Sequence, residues 1–167
     1  MSVVRVGVMS DTHITDGRRT IPATVWGAFA NVDLILHAGD IARREVLDDL
    51  AALAPVHAVY GNVDPFKLAT SLPERLTLDL GGARVGLTHG HLGAGRTTPG
   101  RARGLFTDVA GLDAVVFGHS HEPYNRVEDG VLLFNPGSPT ERRRQPRPSY
   151  GLLTIENGAI RGKIVYL

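Results

Sequence analysis

The sequence contains no cysteine. That excludes a disulfide framework, and it excludes any thiolate nucleophile or thiolate metal site. A bound metal would have to be held by oxygen and nitrogen. Net charge is also nearly absent, at a formal +1, which argues against a general binder of nucleic acid or membrane surfaces. No apolar run approaches the ~20 residues that span a bilayer. The chain enters a strand-like run at once, without a signal-peptide pattern, so a cytoplasmic protein is expected. What is present is ordinary: 167 residues, 43% hydrophobic and 21% charged. That suffices for one domain, residues 1–167, with a real core. The 20 glycines and 10 prolines predict many tight turns.

The stretch that organises the chain is Val3 to His13. It begins as a β-branched run, the pattern of a strand buried on both faces, and ends abruptly in Asp11-Thr12-His13. Pro22 suits the first turn of a helix running to about Asn31. Asp33 to Asp40 reads as a second buried strand, and Arg43 to Leu53 as an amphipathic helix with Val46, Leu47, Leu50 and Ala51 on one face. Val56 to Tyr60 is a third strand, leading into Gly61-Asn62-Val63-Asp64. Such a β-α-β-α-β opening predicts parallel strands with right-handed crossovers.

After Pro73 the pattern changes. Arg75–Leu80 and Ala83–Thr88 flank Gly81-Gly82, a hairpin signal, and the second arm runs into His89-Gly90-His91. A loop over Leu92 to Gly100 precedes a helix expected near Arg101 to Ala110. Asp113 to Phe117 is another buried strand, ending in Gly118-His119-Ser120-His121. Asp129-Gly130 and Asn157-Gly158 mark two further hairpins, and Glu141 to Pro148 reads as an exposed basic loop. The fold class that follows is α/β, with two mixed sheets face to face and helices outside.

The strand ends carry the chemistry: Asp11 and His13, Asp40, Asn62, His89, His119 and His121. Singly, each has a plain alternative. Asp40 could cap a helix, Asn62 could be a turn residue, and a lone histidine after a strand is most often incidental. His37 and His57, inside strands, read as structural. As a set, seven O/N donors converging at one sheet edge exceed the needs of one ion and suit two ions sharing a carboxylate. Imidazole with carboxylate favours Mn, Fe, Zn or Ni over Ca or Mg. His91 reads equally as a group near the substrate and as a surface residue. Asn135-Pro136-Gly137-Ser138 could offer backbone N–H groups to an anion or be a turn, and Arg142-Arg143-Arg144 reads as a solvated loop.

Together, Asp11-x-His13, Gly39-Asp40, Gly61-Asn62-x-Asp64, His89-Gly90-His91 and Gly118-His119-x-His121 resemble the calcineurin-like metallophosphoesterase family. The resemblance runs from Met1 to about Ser138, and the Asn-Pro-Gly-Ser stretch is similar to the family's small prokaryotic phosphodiesterases. It implies a four-layer αββα sandwich of two mixed β-sheets. It also implies a binuclear phosphoesterase, most simply a phosphodiesterase, in which a hydroxide shared by two divalent ions attacks phosphorus. Asp11, His13 and His121 would bind one ion and Asn62, His89 and His119 the other, with Asp40 bridging. Manganese is the first expectation, with iron, zinc or nickel as alternatives. Asp40, Asn62 and His91 are the residues expected to act on catalysis. The expected partner is a small phosphoester; a homo-oligomer is left open. The alternatives are a phosphomonoesterase and a non-catalytic scaffold of the same fold. Two departures stand out: Val63 where many members carry a proton-donating His, and Arg43 where many carry Asp.

Overall fold

The computed structural model describes residues 2–167, so Met1, the first residue of the expected domain and of the resemblance, lies outside the described residues. Two five-stranded mixed sheets face each other. The first has the order β10-β9-β1-β2-β3 and the second β4-β5-β6-β8-β7. The strands are β1 (Val4–Met9), β2 (Leu34–His37), β3 (Val56–Ala58), β4 (Arg75–Leu80), β5 (Ala83–Thr88), β6 (Ala114–Val116), β7 (Tyr124–Glu128), β8 (Val131–Asn135), β9 (Ser149–Glu156) and β10 (Ala159–Tyr166). β1, β2 and β3 pair in parallel, with Met9 beside His37 and His37 beside Ala58. β5 and β6 are also parallel, with Leu87 beside Val116.

Alternation along each strand builds the layers. Val6, Val8, Leu34 and Leu36 of one sheet meet Val85, Leu87, Ala114, Val116 and Phe134 of the other in a buried seam. Their opposite faces meet helices. Met9 and Ile35 pack with Val25 and Phe29 of α1 (Ala23–Phe29) and Val46, Leu47 and Leu50 of α2 (Arg44–Ala51). Val115 and Phe117 pack with Ala102 of α4 (Thr98–Gly104) and with Phe106. Glycines set the approach on both sides. A Cβ on Gly7 would stand 2.9 Å from the Phe29 ring, and one on Gly86 would stand 2.9 Å from Phe106. The result is the αββα sandwich expected.

Three local expectations are corrected. Ala51 is exposed rather than part of the buried face of α2, because that helix ends at Ala51 and the chain turns away. α4 begins earlier than Arg101: the Thr97 side chain caps it by accepting from Gly100 N at 3.1 Å, with Pro99 in the first turn. A single helical turn, α3 (Phe66–Ala69), follows Pro65 where the sequence pattern shows no helix. Among the described residues, no helix is long and apolar enough to cross a membrane.

Candidate metal centre

The parallel ladders continue past the strand ends and carry the site residues with them. Ala38 N donates to Met9 O at 2.9 Å, Asp11 N to Gly39 O at 2.9 Å and His13 N to Asp40 O at 3.0 Å. In the second sheet, Gly118 N donates to His89 O at 2.9 Å. Both sheets therefore deliver the carboxyl ends of their parallel strands to one edge, where α/β folds place their sites.

The backbone there is strained. Asp11 (φ 57°), His13 (φ 46°), Asp40 (φ 54°), His119 (φ 71°) and His121 (φ 60°) all occupy the left-handed region. Non-glycine residues persist there only where the surroundings over-determine them. The chief device is Asp64, to which the sequence pattern assigns no role. Its carboxylate accepts from Asp40 N (3.1 Å), Ile41 N (2.8 Å), Ala42 N (2.8 Å) and Gly61 N (2.8 Å). A second bracket comes from Ser138 Oγ, which donates to Asp11 O at 2.8 Å, and from Thr140 Oγ1, which donates to Thr12 O at 2.7 Å. His37 supplies a third: its Nδ1 accepts from Gly39 N at 3.2 Å, so Nε2–H points at Thr12 Oγ1 3.0 Å away. Asp64 and Ser138 stand in motifs of the sequence, but their role, like that of Thr140, escapes a sequence reading because most of their bonds reach distant backbone.

All seven expected donors converge. His89 Nε2 lies 3.1 Å from Asp40 Oδ2 and 3.9 Å from Asp11 Oδ1. His13 Nε2 lies 3.6 Å from Asp40 Oδ2 and 3.2 Å from His121 Nε2, which is itself 3.4 Å from Asp11 Oδ1. Asn62 Oδ1 sits 3.1 Å from both His89 Nε2 and His119 Nδ1. Two groups, Asp11/His13/His121 and Asp11/Asp40/His89, each offer donor atoms within 4.8 Å of one another. Both carboxylates, Asp11 as well as Asp40, thus stand between the two halves of the centre.

Cations fit this arrangement. Asp11 Oδ1 is buried and has no hydrogen-bond partner, whereas Oδ2 accepts from Ser10 Oγ and His119 N. His89 Nδ1–H donates to the Ala38 carbonyl at 2.6 Å and His121 Nδ1–H to the Glu141 carbonyl. In its neutral form each ring is thereby left with Nε2 as a lone pair aimed at the centre, the usual preparation of a metal-binding imidazole. A proton on His89 Nε2, 3.1 Å from Asp40 Oδ2, and a metal ion are alternative ways of meeting this crowd of acceptors.

The titrations follow from the same crowding. Burial pushes Asp11 up to about 6, against the His89 charge and the Ser10 hydrogen bond. Asp40 is also penalised by burial, but the His89 hydrogen bond and charge prevail and bring it down to about 2. His89 is raised because the Asp40 hydrogen bond and the two carboxylate charges outweigh its burial. Burial lowers His13 and His119, and it lowers His121 to about 4, with the Arg143 charge acting in the same direction on all three.

Elsewhere the structure sorts the remaining candidates. His91 lies with its ring centroid 5.3 Å from His89 and 6.3 Å from His119, so it borders the centre rather than the open surface. Burial and its histidine neighbours hold it at about 4. Asp40 does not cap α2, whose N-cap is Arg43. Arg43 itself turns to Glu45 at 3.4 Å. Asn135 to Ser138 form no open anion nest: Gly137 N is taken by Asn135 Oδ1 at 2.9 Å, and the segment is buried. Arg142 to Arg144 are exposed as expected.

A metal-competent edge between two facing mixed sheets, built of Asp, Asn and His at strand ends, describes a metallophosphoesterase. The calcineurin-like phosphoesterase superfamily domain matches residues 4–158, and the chain belongs to that family. A protein of Methanothermobacter thermautotrophicus named as a probable metallophosphoesterase is 39% identical over 161 residues, covering 96% of this chain and 91% of the relative. A phosphodiesterase of Methanocaldococcus jannaschii is 26% identical, covering 80% of this chain and 83% of its own length. Among solved structures, a single mutant of Vps29 from Entamoeba histolytica superposes with a TM-score of 0.78 at 24% identity, covering 98% of this chain and 99% of that one; it shows the shared fold.

Proposed function

We propose that the protein is a binuclear, metal-dependent phosphodiesterase acting on a small phosphate diester, with residues 1–167 as one domain. The observation that carries the reading is the partnerless, buried Asp11 Oδ1, with the Nε2 atoms of His13, His89 and His121 at 3.8, 3.9 and 3.4 Å. Asp11, His13 and His121 would hold one ion and Asn62, His89 and His119 the other, with Asp40 between. The all-O/N donor set suits manganese first, and iron, zinc or nickel as well. Two such ions supply Lewis-acid charge at the phosphoryl oxygens and lower the pKa of bound water from 15.7 to about 7.

The chain's own residues prepare this. Ala38 and Glu141 carbonyls fix the two imidazoles, Val63 N donates to Asp40 Oδ1 at 3.0 Å, and Asp64 holds the Asp40 loop. His91 borders the centre and is neutral at pH 7, held at about 4 by burial and its histidine neighbours, and its ring would stand near a bound substrate. No residue beside Asn62 donates a proton to a departing alkoxide: Val63 is 52% exposed there and Phe66 84%. Esters with good leaving groups are therefore favoured. The diester preference is supported by the Methanocaldococcus jannaschii phosphodiesterase.

The test is metal analysis of the purified protein, with turnover of bis(p-nitrophenyl) phosphate and p-nitrophenyl phosphate in manganese. Two ions per chain and a faster diester are expected. A faster monoester would make it a phosphomonoesterase. Failure to retain ions or to hydrolyse either ester would leave a scaffold, the alternative that the Vps29 likeness keeps in play.

A further inference from the structure

Beside the candidate centre lies a cavity of about 590 Å³, lined by Ser120, Glu122, Arg143, Arg144 and Gln145. Its size is in the range of small-molecule sites. Ser120 stands between His119 and His121 in sequence, so one wall of the cavity is the loop that carries two of the proposed ligands. The opposite wall is a fixed turn. Gln145 N donates to Arg142 O at 2.9 Å, which puts Arg143 and Arg144 at the two central positions. Arg142 Nη1 bonds the Gln145 carbonyl at 2.7 Å and locks the turn from outside.

The turn is tied directly to the centre. The Glu141 carbonyl accepts the His121 Nδ1–H, and Glu141 N donates to Ser138 Oγ at 2.8 Å, the same hydroxyl that holds Asp11 O. Arg143 is two residues further on, in the left-handed region at φ 50°. Arginine has no intrinsic reason to adopt that conformation. Arg142 and Arg147 of this loop are spent on backbone carbonyls, Arg147 Nε on Leu167 O at 2.8 Å. Among the described residues, the guanidinium groups of Arg143 and Arg144 have neither a carboxylate nor a hydrogen-bond partner. Glu122 is the single acid on the wall against two guanidiniums.

We propose that this cavity is a second anion subsite, in which Arg143 and Arg144 take a phosphate carried by the substrate in addition to the one being cleaved. The inference rests on the phosphodiesterase reading and narrows it to diesters bearing a further phosphate. Planar guanidiniums grip phosphate oxygens bidentately, which suits a terminal phosphate. Only two guanidiniums line this wall. That fits a compact bisphosphate rather than a nucleic-acid strand, which requires an extended basic track.

Two measurements test it on the manganese-loaded protein. The first is calorimetric binding of adenosine 3′,5′-bisphosphate against adenosine 5′-monophosphate. The second is hydrolysis of thymidine 5′-(p-nitrophenyl phosphate) with and without a 3′-phosphate. The extra phosphate is expected to improve affinity and kcat/KM by about tenfold or more. That advantage should fall to near one in Arg143→Asn/Arg144→Ala, where Asn tolerates the left-handed backbone, and fall partway in Arg144→Ala alone. Equal binding of both nucleotides by the wild type would overturn the proposal. So would an advantage that survives the substitutions while both ligands weaken alike, because the arginines would then serve the cleaved phosphate. If the wild type hydrolyses no diester at all, the phosphodiesterase reading fails, and the binding arm still decides the subsite.

Discussion

Asp40 is held at both oxygens by different groups: Oδ1 accepts from Val63 N, and Oδ2 faces His89 at 3.1 Å and His13 at 3.6 Å. Asp40→Asn keeps the shape and removes the charge that both halves of the centre share. Bound metal and turnover should fall together, by more than the ~100-fold that outer hydrogen-bond partners alone command. Near-normal turnover with two ions bound would refute its placement between them. Val63 makes a different prediction. General acid help is worth roughly 10²–10⁴-fold and matters most for basic leaving groups. Rates should therefore depend steeply on leaving-group pKa, and Val63→His should flatten that slope across a series of aryl and alkyl diesters. A slope unchanged by the substitution would mean that position 63 does not face the leaving group. His37 tests the support beneath the site. Burial lowers it from 6.5 to about 3, so it is neutral when folded, while the unfolded chain binds a proton below 6.5. Stability is therefore lost as pH falls from about 6.5 toward 3, with a slope of at most roughly 1.4 kcal/mol per pH unit. In ion-free protein, the stability advantage of wild type over His37→Gln, followed by urea unfolding, should shrink on acidification. A difference independent of pH would show that His37 does not titrate in this way.

At the scale of elements, the expected strands were legible to within about three residues because period-two burial and the Gly-Gly, Asp-Gly and Asn-Gly turns are local signals. The seven candidate ligands were legible for a related reason, since each follows an apolar run. What holds them was not. The loops after β1, β2 and β6 carry five candidate ligands at positive φ, at a cost of ~1–3 kcal/mol each. The compensating bonds come from Asp64, Ser138 and Thr140, far away in sequence. Asp64 is the most concentrated of these, with four backbone N–H groups on one carboxylate. Asp64→Ala would orphan several buried donors at once. A loss of about 3 kcal/mol or more in thermal or urea unfolding is expected, with manganese affinity falling in parallel. A stable variant with normal metal content would show that the loop holds its shape without Asp64. Similarly, α4 was expected at Arg101 to Ala110 but spans Thr98–Gly104, and it starts three residues early because Thr97, a loop residue by composition, acts as its cap.

At the scale of the molecule, the strand order has a consequence in time. β1 is the central strand of its sheet, yet its antiparallel partner β9 spans Ser149–Glu156 near the other end of the chain. A ribosome adding ~5–20 residues per second releases β1 roughly seven to thirty seconds before β9 exists. During that interval the nascent protein can assemble β4 to β8, but the Val4–Met9 edge stays unsatisfied, a bare β-template of the kind that recruits other chains. A chain shortened to end at Pro148 freezes this stage permanently. It should form oligomers or precipitate in size-exclusion chromatography, and adding the β9–β10 hairpin as a separate peptide should reduce the association. A monodisperse, folded short form would show that the growing polypeptide shields β1 in some other way. Vulnerability during synthesis is thus written into a topology in which the first strand made must wait for nearly the last.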